Sequence, residues 1–162
     1  MWNKATKFLH LSRAERLLLV EAFYALGRAR LALVLSPFRR VAASMGDVGG
    51  ESPVSAPPGH DEIARQVGWA VETAARHTPW SSRCLAQALA AWRMLGRRGI
   101  AGTVYFGVAK NPDRSFGAHA WLRCGTRFVT GEEPGEQYRV LASFAPAISK
   151  VGAGIIERQG KL

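Results

Sequence analysis

Cysteine is scarce in this sequence, since Cys84 and Cys124 are the only two among 162 residues. A small secreted domain that depends on disulfides carries more cysteines at this length, so we expect a reducing, cytoplasmic location. The sequence also lacks close cysteine pairs, and its four histidines are scattered, which argues against a zinc site. We therefore expect neither a metal nor a cofactor.

An uninterrupted apolar run long enough to cross a bilayer is also missing. Arg28 and Arg30 break the most apolar stretch, residues 17–35, and burying both at mid-bilayer costs about 5–7 kcal/mol. Residues 1–10 lack the compact apolar segment and the cleavage site of a secretory signal. We expect no spanning helix, although peripheral contact with a membrane stays open.

Acidic residues are few, 12 against 22 lysines and arginines, which gives a net charge of +10. Such an excess of positive charge is typical of proteins that bind nucleic acid. The basic residues are spread along the chain, however, and no helix-turn-helix, zinc-finger or sheet-aromatic pattern organises them. We therefore expect no nucleic-acid partner, whereas an acidic peptide or protein is a partner that the same field would attract.

Composition and turn residues divide the chain into four segments. Ser12 and Glu15 form a capping box before a helical pattern that continues to Pro37, and a short second helix follows. Glycine, proline and serine then dominate a stretch that sustains neither a helix nor a central strand. The predicted segments are a helical arm (1–46), a linker (47–59), a main domain (60–148) and a C-terminal tail (149–162). Because the arm is apolar on more than one side, we expect the main domain, a partner or lipid to cover it.

The sequence of the main domain predicts two helices followed by strands. His60 is expected to cap the first helix, and Ser81 and Ser82 the second, which places Cys84 in a first helical turn. Alternation then predicts a half-buried strand, a turn and an antiparallel hairpin closed at Gly125-Thr126. The expected strands cover 103–108, 118–124, 127–130 and 138–144, with a turn at 111–113.

Cys84 and His119 are the candidate nucleophile and base. The unpaired N–H groups and the dipole of a helix N-terminus favour a thiolate, and the Cys84 backbone N–H could stabilise an oxyanion. Alternation places His119, Trp121 and Arg123 on one strand face. Cys124 falls on the opposite face and is expected to be a core residue.

The hairpin also offers an acid. If Cys124 opposes Arg127, counting back in a regular register places Glu132 across from His119, where a carboxylate could orient the imidazole. A one-residue change of register would bring Gly131 or Glu133 there instead, so Glu133 is the alternative acid. Trp80 and Trp121 flank the pair in sequence and are candidates to line the substrate cleft, with ordinary core packing as the alternative.

These motifs, taken in order, resemble a known family. They are Pro79-Trp80-Ser81-Ser82-Arg83-Cys84-Leu85, then Ala118-His119-Ala120-Trp121-Leu122, then Val129-Thr130-Gly131. The chain resembles the lasso peptide biosynthesis B2 proteins, which are leader peptidases of the transglutaminase-like cysteine protease superfamily. The resemblance implies an α+β fold of the papain/transglutaminase type, in which a helix bearing the cysteine packs on a small antiparallel sheet bearing the histidine.

The resemblance also implies a function. A cysteine peptidase of this kind removes the leader from a ribosomally made precursor peptide and frees the core amine for a separate macrolactam synthetase. Cys84 would be the nucleophile and His119 the base, whereas family members commonly carry Asp where this chain has Gly131-Glu132-Glu133. Since the first 60 residues read as helices plus linker, a separate winged-helix protein is expected to recognise the leader. The alternatives are a transglutaminase-type acyltransferase and a non-catalytic scaffold that binds peptides.

Overall fold

Four helices and a five-stranded antiparallel sheet make up the computed structural model, which describes residues 10–110, 116–131 and 138–146. The helices are α1 (Arg13–Leu35), α2 (Phe38–Ala43), α3 (His60–Ala75) and α4 (Cys84–Arg97). The strands are β1 (Asp47–Val48), β2 (Thr103–Lys110), β3 (Phe116–Cys124), β4 (Arg127–Thr130) and β5 (Arg139–Ala145). The predicted α+β class is confirmed. The turn at 111–113 and the tail at 149–162 lie outside the described residues.

Helix α1 begins and ends where the sequence indicates. The Ser12 hydroxyl accepts a hydrogen bond from the Glu15 N–H, and the Glu15 carboxylate accepts one from the Ser12 N–H, so the capping box is confirmed. The helix stops before Pro37, whose ring is incompatible with a continuing helix. One side of α1 packs on α3 and α4, which shows that the main domain covers this side of the arm. Among the described residues, no helix is long and apolar enough to cross a membrane.

The starts of α3 and α4 differ from expectation. Gly59, at φ +85°, precedes α3, and no side chain caps that helix, so the prediction of a His60 cap is wrong. The predicted cap of α4 by Ser81 or Ser82 is also wrong, because Arg83 occupies the cap position without a side-chain bond. The Ser82 hydroxyl is instead 2.8 Å from the Thr78 hydroxyl. A local contact within the turn before α4 therefore engages this hydroxyl.

The strand order in the sheet is β1-β5-β2-β3-β4. Strand β2 is central and pairs with β3 from Thr103–Arg123 to Lys110–Phe116. The expectation of a half-buried β2 is wrong, because side chains on both of its faces are mostly buried. Val104 lies in the core cluster shared with the helices, whereas Tyr105 is buried outside that cluster on the opposite face.

The segment 47–59 lies against this second face of the sheet. It contributes β1, which pairs with the end of β5. Ser52 is buried, and its N–H and hydroxyl both bond to the Thr103 hydroxyl at 2.8 Å. The Arg123 guanidinium donates to the Ser52 carbonyl at 3.2 Å. Residues between α2 and α3 therefore cover the sheet face that α3 and α4 leave open.

Candidate active site

Cys84 is the first residue of α4 and is half-buried. Its N–H is one of the four at a helix start that have no acceptor within the helix, so it is available to a substrate oxygen. The turn ahead of it is braced internally. Thr78 Oγ1 lies 3.0 Å from the Trp80 carbonyl oxygen, and the Gln87 side-chain amide donates to the Ser82 carbonyl at 2.8 Å. This bracing fixes the approach of the chain to the thiol.

Trp80 anchors the same turn to the helical arm. Its ring lies 5.1 Å from the Phe23 ring, centroid to centroid. A Cβ placed on Gly27 would come within 3.3 Å of the indole, so the absence of a side chain there admits the ring. The indole Nε1 is buried without a hydrogen-bond partner among the described residues. The contacts of Trp80 are thus those of a packing residue against α1.

His119 and Trp121 lie side by side on one face of β3, together with Arg123, as alternation predicts. The Trp121 ring is stacked between Tyr105, at 5.6 Å and 13°, and His119, at 5.8 Å and 22°. A Cβ on Gly107, the residue opposite His119, would come within 2.7 Å of the indole. The bare backbone of Gly107 therefore makes room for the ring that supports the imidazole.

Two further residues surround the imidazole. The Tyr138 ring lies 5.4 Å from it. Gly131 has φ +73°, and a Cβ there would lie 3.0 Å from His119 Nε2 and 2.9 Å from Trp121 Cβ. Sequence reasoning did not single out Tyr138, because only the antiparallel pairing of β5 with β2 brings it near β3. The glycine was visible in the Val129-Thr130-Gly131 motif, but its contact with the imidazole was not.

The far end of this face is held by Arg123, which is buried. Its guanidinium donates to the Tyr105 hydroxyl at 3.0 Å and to the Gly125 carbonyl at 2.6 Å. Because Tyr105 in turn stacks on Trp121, these bonds fix the aromatic layer that ends at His119. Cys124 occupies the opposite face, where burial, and secondly the charge of Asp61, raises the pKa of its thiol. A raised pKa disfavours the thiolate form that a nucleophile needs.

Helix α4 packs on β3, and residues 98–102 connect the end of this helix to β2. Thr103, the first residue of β2, pairs with Arg123 near the end of β3, four residues after His119.

The two side chains are not hydrogen-bonded to each other, although both belong to the described residues. Helix α4 packs on the face of β3 that bears Leu122 and Cys124, whereas the imidazole lies on the Trp121 face. The structure thus brings His119 together with Trp121 and Tyr138, whereas the pairing of His119 with Cys84 stays a prediction. Catalytic hydrogen bonds are often long before substrate binds and tighten in the complex.

Comparison with protein families gives one match, described as the transglutaminase-like superfamily, over residues 32–143. This range exceeds half of the chain and includes both Cys84 and His119. The chain belongs to the transglutaminase-like superfamily. Comparison with curated proteins and with solved structures gives no match. The superfamily is generally enzymatic and includes cysteine peptidases and acyltransferases. Most of α1 precedes the matched region.

The third residue of a transglutaminase-like site was predicted from a regular hairpin register, which the structure does not have. Cys124 opposes Arg127 and Arg123 opposes Phe128 as expected, but the register then shifts, so that Leu122 pairs with Thr130. The regular register from which Glu132 was predicted to lie opposite His119 is therefore absent. Glu132 and Glu133 themselves lie outside the described residues, and the acid stays a prediction. In the described ranges, no group of three or more His, Cys, Asp or Glu residues is placed to hold a metal ion.

Proposed function

We propose that this transglutaminase-like protein is a cysteine peptidase that removes the leader from a ribosomally made lasso precursor peptide. The observation that carries the proposal is the placement of Cys84, half-buried, as the first residue of α4. A half-exposed thiol at a helix start meets the requirement for a nucleophile, whereas Cys124 is buried. The motif resemblance supports the choice of substrate.

The proposed reaction proceeds through an acyl-enzyme. The Cys84 thiolate attacks the scissile carbonyl carbon, and the Cys84 N–H at the helix start stabilises the oxyanion. The C–N bond then breaks, and the imidazolium of His119 donates its proton to the leaving amine of the core peptide. Water attacks the thioester while His119 accepts its proton, which releases the leader carboxylate and regenerates the thiol. An acyltransferase differs only in the last step, where an amine replaces water.

The acid that orients His119 is proposed to come from Glu132 or Glu133. The register shift in the hairpin removes the regular count that favoured Glu132, so Glu132 and Glu133 are replaced separately. Removing the orienting acid should reduce the cleavage rate less than removing Cys84 or His119, because such a residue is usually the most dispensable member of its set.

The deciding experiment is cleavage of a candidate precursor by the purified protein, in the presence of a separate leader-recognition protein. Cys84→Ala and His119→Ala should each lower the rate by about a thousandfold or more, because the two groups act as a unit. Cys124→Ala is the matched control, since it removes the other thiol, and it should retain cleavage. Cleavage that persists in Cys84→Ala, with the fold intact, would exclude the peptidase. A scaffold role would then remain.

A second measurement tests the thiol–imidazole pair without any substrate. The rate at which iodoacetamide alkylates Cys84 is followed against pH in the wild type and in His119→Ala. If the imidazole stabilises the thiolate, the wild type reacts at lower pH than the variant. Identical profiles would show that His119 does not affect the reactivity of Cys84.

Addition of a primary amine to the cleavage reaction distinguishes a peptidase from an acyltransferase, because an acyltransferase forms an amide where a peptidase forms a carboxylate.

A further inference from the structure

Helix α1 carries large apolar side chains on the side that faces away from the rest of the protein. Between 46% and 75% of each of these side chains is exposed. They recur at spacings of three, four and seven residues, which keeps them on one side of the helix. We call them the α1 stripe, and they are Leu17, Val20, Tyr24, Leu31, Val34 and Leu35.

The α1 stripe is not part of the core. The opposite side of the helix, with Leu19, Leu26 and Ala29, is buried and belongs to the cluster shared with α3 and α4. The stripe therefore adds nothing to the packing of α1 on its own domain. Contiguous exposed apolar side chains on a single element mark an interaction surface rather than chance exposure.

The charges of α1 and α2 that take part in no ion pair are positive within the described residues. Exposed arginines that take part in no ion pair within the described residues lie along α1 and α2, namely Arg13, Arg28, Arg30, Arg39 and Arg40. The two acids of α1 are already engaged, because Glu15 caps Ser12 and Glu21 binds Arg97 and Arg98.

The same excess of positive charge extends from α1 to α4. Burial, and secondly the nearby charges of Arg28 and Arg97, lowers the pKa of Arg93. Glu21 supplies a counter-charge to Arg97, whereas Arg28 and Arg93 take part in no ion pair within the described residues. The surface therefore complements an anionic partner that also accepts apolar side chains.

We propose that the α1 stripe docks on the surface of a bilayer that contains anionic lipid, with α1 lying in the plane of the headgroups. A helix with aliphatic side chains on its outer side and arginines beside them binds lipid by apolar burial plus attraction to anionic headgroups. Arginine side chains suit this position, because their apolar stems follow the stripe while their guanidinium groups reach the phosphates.

The composition of the stripe favours lipid over a protein partner. Leu and Val, which form most of it, are under-represented among the residues that dominate protein–protein binding, whereas Trp and Arg in pockets are enriched. The stripe is also the convex side of a single helix, about 27 Å long from Leu17 to Leu35. A planar, deformable surface matches this shape. The inference does not depend on the proposed peptidase activity.

The test is sedimentation of the full-length protein with vesicles of phosphatidylcholine, with and without phosphatidylglycerol. The wild type should bind the anionic vesicles, and high salt should weaken the binding because it screens the arginines. Arg39→Gln with Arg40→Gln should lower the partition coefficient by about fivefold per arginine. Arg76→Gln with Arg139→Gln is the matched control, since both arginines are exposed elsewhere on the protein.

A second pair of variants tests the apolar contribution. Leu31→Ser with Leu35→Ser should lower vesicle binding by about tenfold or more per leucine. Val140→Ser with Leu141→Ser removes two comparably exposed apolar side chains from β5 and should bind like the wild type. Thermal unfolding of each variant verifies that the fold is intact.

Three outcomes would overturn the proposal. The first is failure of the wild type to bind anionic vesicles, and the second is equal binding to purely zwitterionic ones. The third is a dimer in solution that Leu31→Ser with Leu35→Ser converts to a monomer, without vesicle binding by the wild type. That result would identify the α1 stripe as an interface between two copies of the chain.

Discussion

Gly131 illustrates how much of the site depends on space for a single side chain. The residue follows β4 at φ +73°, a conformation that other residues adopt only with strain. A Cβ at this position would crowd both His119 Nε2 and Trp121 Cβ. The position therefore demands glycine for two separate reasons, and a substitution should affect the imidazole as well as the backbone.

Replacing Gly131 by alanine should destabilise the fold and displace the imidazole of His119. Gly99→Ala is a matched control, because Gly99 has φ +70° and a Cβ added there would meet no atom within 4 Å. We expect about 1 kcal/mol of left-handed strain in both variants. Overpacking against His119 and Trp121 should cost about 1–3 kcal/mol more in Gly131→Ala alone.

Urea denaturation measures these two losses of stability, and the NMR resonances of the His119 ring report its position. Equal stability losses in the two variants, with unchanged His119 resonances, would contradict the inferred contact. At the residue scale, the sequence indicated Cys84 and His119 as the candidate nucleophile and base. It did not show which neighbours hold the imidazole, because those neighbours lie on β3, just after β4 and just before β5.

At the scale of elements, two serine motifs that look alike in sequence have different roles. Ser12 caps α1 through a reciprocal bond with Glu15. Ser81 and Ser82 precede α4 in the same way, but neither caps it, and the Ser82 hydroxyl bonds to Thr78. A cap motif thus predicts a helix start correctly in both places, although it acts as a cap in only one.

Ser12→Ala should lower the free energy of unfolding by about 1 kcal/mol, because the N–H of Glu15 loses its acceptor. Ser81→Ala is the control, since this exposed serine makes none of the side-chain hydrogen bonds found in the described residues. We expect it to remain within about 0.5 kcal/mol of the wild type. Chemical denaturation of the two variants checks the difference, and equal losses would show that the capping box adds nothing.

Register is the second property of elements that the sequence left open. The hairpin turn at Gly125-Thr126 and the pairing of Cys124 with Arg127 were predicted correctly. The irregularity between Arg123 and Leu122 was not predicted, because a bulge depends on how the two strands twist and pack against the helices. That shift of one residue changes which side chain the count places opposite His119. The choice of acid therefore depends on a feature that alternation does not reveal.

At the scale of the whole molecule, Glu21 connects the helical arm to the end of α4 through ion pairs with Arg97 and Arg98. Arg98, just after α4, donates to both carboxylate oxygens of Glu21 on α1, at 3.0 and 2.6 Å. The hydrogen bonds from Arg98 lower the pKa of Glu21 below its ordinary value of 4.5. The pair therefore stabilises the folded state only while Glu21 is ionised.

Glu21→Gln should lose about 0.5–1 kcal/mol of stability near neutral pH, a value that allows for screening of this partly exposed pair. Because the folded-state pKa is lowered, the contribution is fully present above the unfolded pKa of 4.5 and disappears as the pH falls through the folded pKa. Denaturation of wild type and variant should therefore differ at neutral pH and converge in strong acid. Glu72→Gln, at an exposed site on α3, is the control. A difference that persists in acid would contradict the ion-pair explanation.

The sequence by itself determined the local structure: where α1 begins, which residues form the hairpin, and which strand face bears His119 and Trp121. Capping, alternation and turn chemistry act over a few residues, so they can be recognised in the sequence without tertiary information. Cys84 and His119 could be proposed as nucleophile and base for the same reason, because each proposal depends on the residue's own element.

Only the tertiary structure decided which elements meet. Packing of α1 on α3 and α4 left one apolar side of the arm uncovered. Pairing of β5 with β2 brought Tyr138 to the imidazole, and the segment after α2 closed the second face of the sheet over Arg123. These contacts join residues far apart in the chain, and their geometry depends on the packing of many side chains at once. No local sequence pattern determines the geometry of these contacts.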